Sequence, residues 1–80
     1  MYYTYVLKSL KDGSYYYGST KDLEKRIKIH NMGKVKYTKG HIPYKIHYYE
    51  TFSTRKEAFR REKFFKSIEG YNWFKREGIT

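Results

Sequence analysis

The chain has only eight carboxylate side chains among its 80 residues, so each can be asked what would hold it. Asp12 stands before Gly13 in a turn signal, Asp22 and Glu57 fall where helix caps are expected, and Glu77 lies near the last residue. Glu24, Glu50 and Glu69 show no placement that demands burial. Glu62 does. In the run "TRKEAFRREKFF" it projects roughly 40° from Ala58 and 60° from each of Phe59 and Phe65 on a helical wheel, which sets a charge inside an apolar arc. An unpaired carboxylate there would cost several kcal/mol or take up a proton, so Glu62 requires a cation, either a metal ion or an arginine such as Arg26.

Arg26 and His30 are four residues apart in a helical stretch and project from one side of it, a spacing that also suits a plain solvated basic face. The other histidines, His41 and His47, give no zinc-ligand spacing with His30, and there is no cysteine to help. The remaining polar candidates are tyrosines. Three follow one another in "KDGSYYYGST", although each buried phenol needs a hydrogen-bond partner, so part of the run is expected to face a polar cavity. With Asp12-Gly13 in a two-residue turn, Tyr16 lies across from Ser9 and shares a sheet face with Leu7, Tyr5 and Tyr3, while Tyr17 points away. A register change of two residues preserves that sharing; a slip of one would reverse it. Gly18, on the face of Tyr16, leaves room for close approach of a ligand or of backbone.

The elements that must position these groups are legible in outline. Tyr2 to Lys8 and Ser14 to Ser19 are β-branched and aromatic around the turn and predict a hairpin. Ser19-Thr20-Lys21-Asp22, with an acid three places after a hydroxyl, opens a helix to about His30, where Asn31 and Gly33 stop it, and Leu23 and Ile27 form its inward stripe. The segment 31–43 reads as a long exposed connection, the kind that is functional or mobile. Tyr44, Ile46 and Tyr48 alternate with Lys45 and His47 as a third, half-buried strand. A second long helix spans Thr54 to Ser67 behind the capping box Thr54-Arg55-Lys56-Glu57, and a short terminal helix packs Trp73 and Phe74 back. The expected product is one α+β domain over residues 1–80.

Eighteen Lys and Arg against eight Asp and Glu give a net charge of +10, which points to a polyanionic partner. The absence of cysteine excludes disulfides and thiolate metal sites. No apolar run has the length of a signal peptide or a membrane span, so the expectation is a cytoplasmic protein with no membrane partner.

In order, "YTYVL", then "YYGST" with "KDLEKRIKIHN", then "TKGHIPYKIHYYETFSTRKEAFRREKFFKS" resemble the GIY-YIG endonuclease domain, in the small stand-alone form related to the nuclease module of the bacterial excision-repair endonuclease. The resemblance carries the first triplet's tyrosine onto Tyr5, with its glycine and isoleucine replaced, and the second triplet onto Tyr16, Tyr17 and Gly18. The helix arginine falls on Arg26, a frequent helix histidine on His30, the metal-binding glutamate on Glu62, and a later asparagine of some members on Asn72.

It implies a three-stranded antiparallel-type sheet flanked by helices, and hydrolysis of DNA phosphodiester bonds with one divalent ion, Mg²⁺ or Mn²⁺, held by Glu62. RNA is not excluded as substrate. Arg26 would donate to the phosphate oxygens and Tyr16 would act on the attacking water, with Tyr5 and His30 shaping its hydrogen bonds and His30 as the competing base. Lys34, Lys36 and Lys39 of the connection, with Arg55, Arg60, Arg61 and Lys63 of the second helix, would hold the nucleic-acid backbone. With no second domain to read bases, the expected substrate is distorted, branched or nicked DNA cut with low sequence preference, as in repair, by a monomer or weak homodimer. The alternative reading is a nucleic-acid-binding module of the same fold that does not cut.

Overall fold

Tyrosine, threonine and valine alternate through the first strand, β1 (Tyr2–Ser9), and β1 becomes the centre of the sheet because both its faces are apolar enough to be covered. In the computed structural model, which describes residues 1–80, β2 (Tyr15–Thr20) and β3 (Tyr44–Phe52) flank it in the order β2-β1-β3, both antiparallel. Helix α1 (Leu23–Asn31) covers one face, where Leu23 joins Tyr5, Leu7 and Tyr44 in a buried cluster. Helices α2 (Arg55–Phe65) and α3 (Ile68–Glu77) cover the other, where Val6, Phe65 and Phe74 are buried together. This is the α+β architecture expected, with the three-stranded antiparallel sheet and flanking helices. No helix is long and apolar enough to cross a membrane.

Four local readings are corrected. The hairpin turn is wider than two residues: Ser9 N–H donates to Ser14 O (2.8 Å) and the Ser9 hydroxyl oxygen accepts from the N–H groups of Lys11 and Asp12. The register is thereby displaced by two residues, so that Tyr16 faces Leu7 and Tyr5 faces Gly18, and the shared face survives. Helix α1 is capped by Asp22 itself, whose carboxylate accepts from Lys25 N–H (3.1 Å), not by an upstream hydroxyl. Strand β3 is not a simple alternation, because the pairing with β1 shifts between Val6 and Leu7 and leaves His47 as the extra residue of a bulge.

The connection 31–43, finally, is fastened rather than loose. The Ser9 hydroxyl donates to His41 O, Lys11 Nζ donates to Gly40 O (3.2 Å), and His41 Nδ1 donates to the Asp12 carboxylate. Asn31 brackets the start of β3 with two hydrogen bonds to the Tyr44 backbone, and Thr38 is fully buried.

The second helix starts where its capping box predicts, with the hydroxyl half of the box formed and the Glu57 carboxylate on the Thr54 hydroxyl instead of the Thr54 backbone N–H. Thr54 Oγ1 accepts from Glu57 N–H (3.2 Å) and donates to the Glu57 carboxylate. Helix α3 follows α2 at close quarters because Gly70 has no side chain: a Cβ there would collide with the carbonyl of Phe64.

Candidate active site

Tyr5 is buried at the centre of β1, and its phenol needs a partner that the strand cannot supply. Helix α1 supplies it. One turn apart on the face turned to the sheet, Arg26 and His30 both approach the hydroxyl: Tyr5 Oη lies 3.2 Å from His30 Nε2, and the Arg26 charge lies close enough to the same phenol to favour its ionised form. Opposite Tyr5 on β2, Gly18 makes this possible, since a Cβ there would overlap the phenol. The gap read at Gly18 from the sequence is therefore filled by Tyr5. Tyr16, two residues before it and on the same face, packs its ring 5.0 Å from the His30 ring and 6.5 Å from that of Tyr5, and its phenol lies within the electrostatic reach of Arg26.

The proton positions follow from the bonds. Thr38 Oγ1 donates to Val35 O (3.3 Å), so toward His30 it accepts, and His30 carries its proton on Nδ1 (2.9 Å from Thr38 Oγ1). Nε2 is then an acceptor for the Tyr5 hydroxyl, and the Tyr5 oxygen is free to accept from Arg26. One polarised chain runs from Tyr5 through His30 and Thr38 to a backbone carbonyl, with the Arg26 charge beside its first member. Burial, and secondarily the Arg26 charge, hold His30 down at about 4, so it is neutral at pH 7. Burial pushes the Tyr5 phenol up to about 12 against the opposing pull of Arg26, and contact with Tyr5 holds Arg26 still more firmly protonated.

Glu62 comes from the other face. Ser19, the residue after Gly18, points toward α2 and donates to Glu62 Oε1 (2.6 Å), while Lys66 Nζ donates to Oε2 (2.8 Å). The cation predicted for Glu62 is thus Lys66, one turn along its own helix, and not Arg26. The carboxylate sits at the margin of the buried arc, because Ala58 and Phe65 are buried whereas Phe59 is 48% exposed. Its charge still reaches Tyr5, where it opposes ionisation of the phenol. Lys66 and Tyr16 line one open cleft of about 410 Å³ with Tyr15, Tyr17 and Tyr37. Tyr5, Tyr16, Arg26 and His30 therefore gather on one side of β2, and Glu62 lies on the other, tied to the strand through Ser19.

A family model described as the GIY-YIG catalytic domain matches residues 1–74. The chain belongs to the GIY-YIG family. It is 50% identical over 72 residues to a UPF0213 protein of Bacillus licheniformis, covering 89% of this chain and 73% of that one. Over 68 residues it is 47% identical to the UPF0213 protein YazA of Bacillus subtilis, covering 84% and 68%. The solution NMR structure of a UPF0213 protein from Bacillus halodurans matches with a TM-score of 0.54 at 38% identity, over 92% of this chain and 82% of that one. Those names state no activity; the GIY-YIG domain is that of a nuclease family.

The departures from the GIY-YIG triplets have local explanations. Thr4, in the isoleucine position of the first, is fully buried because its hydroxyl donates to Ala58 O (2.7 Å) and so ties α2 to β1. Tyr3, in the glycine position, packs on Tyr49 (5.9 Å between rings), and Tyr17, in the isoleucine position of the second triplet, stacks on Phe74 (5.5 Å, 17° between planes).

The GIY-YIG metal would have a single protein carboxylate here. Nowhere do three His, Cys, Asp or Glu side chains gather as a cage. Mg²⁺ characteristically binds through one or two carboxylates, with water and substrate phosphate completing the shell. Glu62 fits that pattern: its side chain is oriented by Ser19, and the cation now on Oε2 is a Lys66 ammonium that is 50% exposed and can swing away.

Of the backbone-binding candidates, Lys34, Lys36, Lys39, Arg55, Arg60 and Lys63 are exposed. Arg61 is not presented in the same way: it makes two hydrogen bonds to Glu50 (2.7 and 3.2 Å) and lies over the rings of Phe64 and Trp73 (4.6 Å each). Asn72 is exposed on α3 and makes no hydrogen bond to the cluster. Sequence reasoning missed Ser19, Thr38 and Lys66. Lys66 was readable as the lysine four residues after Glu62; Thr38 carries no local signal, since its partner is on another element.

Proposed function

We propose that the protein is a metal-dependent endonuclease that hydrolyses DNA phosphodiester bonds at the edge of β2. The observation that carries this reading is the meeting of Tyr16, Arg26 and the buried Tyr5–His30 pair across one strand from Glu62. Arg26, near two phenols and only partly buried, is placed to donate to a phosphate oxygen as charge accumulates there. Tyr16 is only partly buried and lines the open cleft, so its hydroxyl is placed to orient the attacking water and, as the phenolate, to take its proton. His30 is fully buried with both ring nitrogens engaged, and Tyr5 is equally enclosed. They serve as positioning residues for Arg26, and His30 is set aside as the base.

Glu62, with Lys66 displaced, would hold Mg²⁺ or Mn²⁺, which when bound stabilises the leaving oxygen as a Lewis acid. Exposed Lys34, Lys36, Lys39, Arg55, Arg60 and Lys63 are suited to phosphate contacts, which position a duplex without reading it, so low sequence preference follows, with distorted or branched DNA of the kind met in repair as the favoured substrate.

The test is cleavage of labelled plasmid and branched DNA with Mg²⁺ or with chelator. Wild type should cut only with metal. Glu62→Ala should lose at least about 100-fold in rate, the scale of a major electrostatic catalytic group, while binding DNA as well or better. Undiminished cutting by Glu62→Ala overturns the metal-ligand role.

A further inference from the structure

A second cleft, of about 620 Å³, opens on the α2 side of the sheet between the ends of β1 and β2 and the first turns of α2. Its make-up differs from that of the catalytic edge. Two aromatic rings, Tyr2 and Phe59, and three cations, Lys21, Arg55 and Lys56, line it, and no acid does. None of the three cations is in a salt bridge. Phe59 is half exposed although it stands next to buried Ala58, and none of the ring contacts between aromatic side chains includes it. The Lys63 ammonium lies 5.0 Å from its ring centroid.

The walls are fixed. Thr4 Oγ1 donates to Ala58 O at the floor, and the capping box holds the first turn of α2. The Ser19 and Thr20 hydroxyls at the rim are already engaged, Ser19 with Glu62 and Thr20 with the Asp22 backbone. What the cleft offers a ligand is therefore flat apolar surface and unpaired positive charge.

We propose that this cleft takes an unpaired nucleotide of a DNA strand, its base against Phe59 and Tyr2 and its flanking phosphates on Lys21, Arg55 and Lys56. Two features favour this occupant over an acidic peptide. An aromatic platform inside a cationic groove is the arrangement by which single strands are held without base-specific hydrogen bonds. The cleft is also continuous with the catalytic edge, because Ser19 lines it and hydrogen-bonds Glu62. Phe59 lies just under one turn before Glu62 on α2, about 4.5 Å along the axis, so the captured base is a close neighbour of the phosphate at Glu62. The inference deepens the endonuclease reading: the preferred substrate has an unstacked base beside the cut, as at a junction, flap or nick.

The test needs no cleavage. In metal-free buffer with chelator, binding of a labelled single-stranded oligodeoxynucleotide of roughly a dozen residues is compared with binding of a blunt duplex. Phe59→Ala should weaken single-strand binding by about 5–100-fold and duplex binding by no more than about twofold, and Phe59→Trp should restore the wild-type value. A 2-aminopurine in the oligonucleotide should be quenched by wild type and not by Phe59→Ala. Equal losses on both substrates, no loss on the single strand, or competition by poly-glutamate as effective as that by the unlabelled strand would each overturn the proposal. Thermal melts show that the variants are folded, as expected for a half-exposed side chain. If these binding differences hold while wild type fails to cut with Mg²⁺, the cleft stands and the endonuclease reading falls.

Discussion

With Nδ1–H given to Thr38 and Nε2 receiving the Tyr5 hydroxyl, His30 cannot gain a proton unless Tyr5 gives up its bond. The linkage sign follows. The unfolded chain protonates this histidine near 6.5 and the folded chain only at about 4, so between those values the unfolded state binds more protons and acid favours unfolding. The stabilisation is complete above about pH 7 and is lost as pH falls through 6.5 toward 4, by on the order of 3 kcal/mol in full. Urea denaturation of wild type and His30→Gln across pH 4–7 measures it: the wild type should lose stability relative to the variant through that window, and parallel curves would show that His30 titrates normally. Glu62 was legible at this scale because an angular position needs only the helix period, and Arg26 with His30 for the same reason. Their true partners were not. Whether Glu62 meets Arg26 or Lys66 depends on which face of the sheet each helix covers, and nothing in either helix states that.

Helices α2 and α3 are joined to β3 through one guanidinium. Arg61 binds Glu50 through two nitrogens, Glu50 also accepts from the Tyr48 hydroxyl, and the flat faces of Phe64 and Trp73 stack on the same group. Lysine keeps the charge and loses the fork and the planar stacking, so Arg61→Lys should destabilise by about 1–3 kcal/mol, lowering Tm by roughly 5–15 °C. DNA affinity should stay within about twofold, since this charge is turned inward. Arg60→Ala is the converse: unchanged Tm and weaker DNA binding, read by melting and by titration of a duplex. Should Arg61→Lys weaken binding more than Arg60→Ala, the structural assignment of Arg61 fails. Elements of this kind were visible from composition and caps, as the Thr54–Glu57 box shows, whereas their registers were not. The hairpin shift follows from Ser9 capping a wider turn, and the β3 bulge at His47 from pairing with β1; both are set between segments rather than within one.

The whole molecule measures 27 × 26 × 17 Å and carries a net charge of +10, with lysines in the fastened connection at 34, 36 and 39 and arginines on α2 at 55 and 60. That shape limits the electrostatics. Along its 27 Å dimension one strand of a duplex presents about eight phosphates at 3.4 Å each, so a copy that contacts a single strand neutralises at most about that many and releases at most about seven counterions. The logarithm of the DNA association constant should fall against the logarithm of salt concentration with a slope between about −4 and −7, and a fourfold rise in salt should cost at least about 100-fold in affinity. Replacing Lys34, Lys36 and Lys39 together by alanine should flatten the slope by about 2–3. Fluorescence anisotropy over a salt series decides it. A flat response would mean that the positive charge does not face the nucleic acid, and a slope well beyond −7 would mean that both strands, or more than one copy, are engaged at each site.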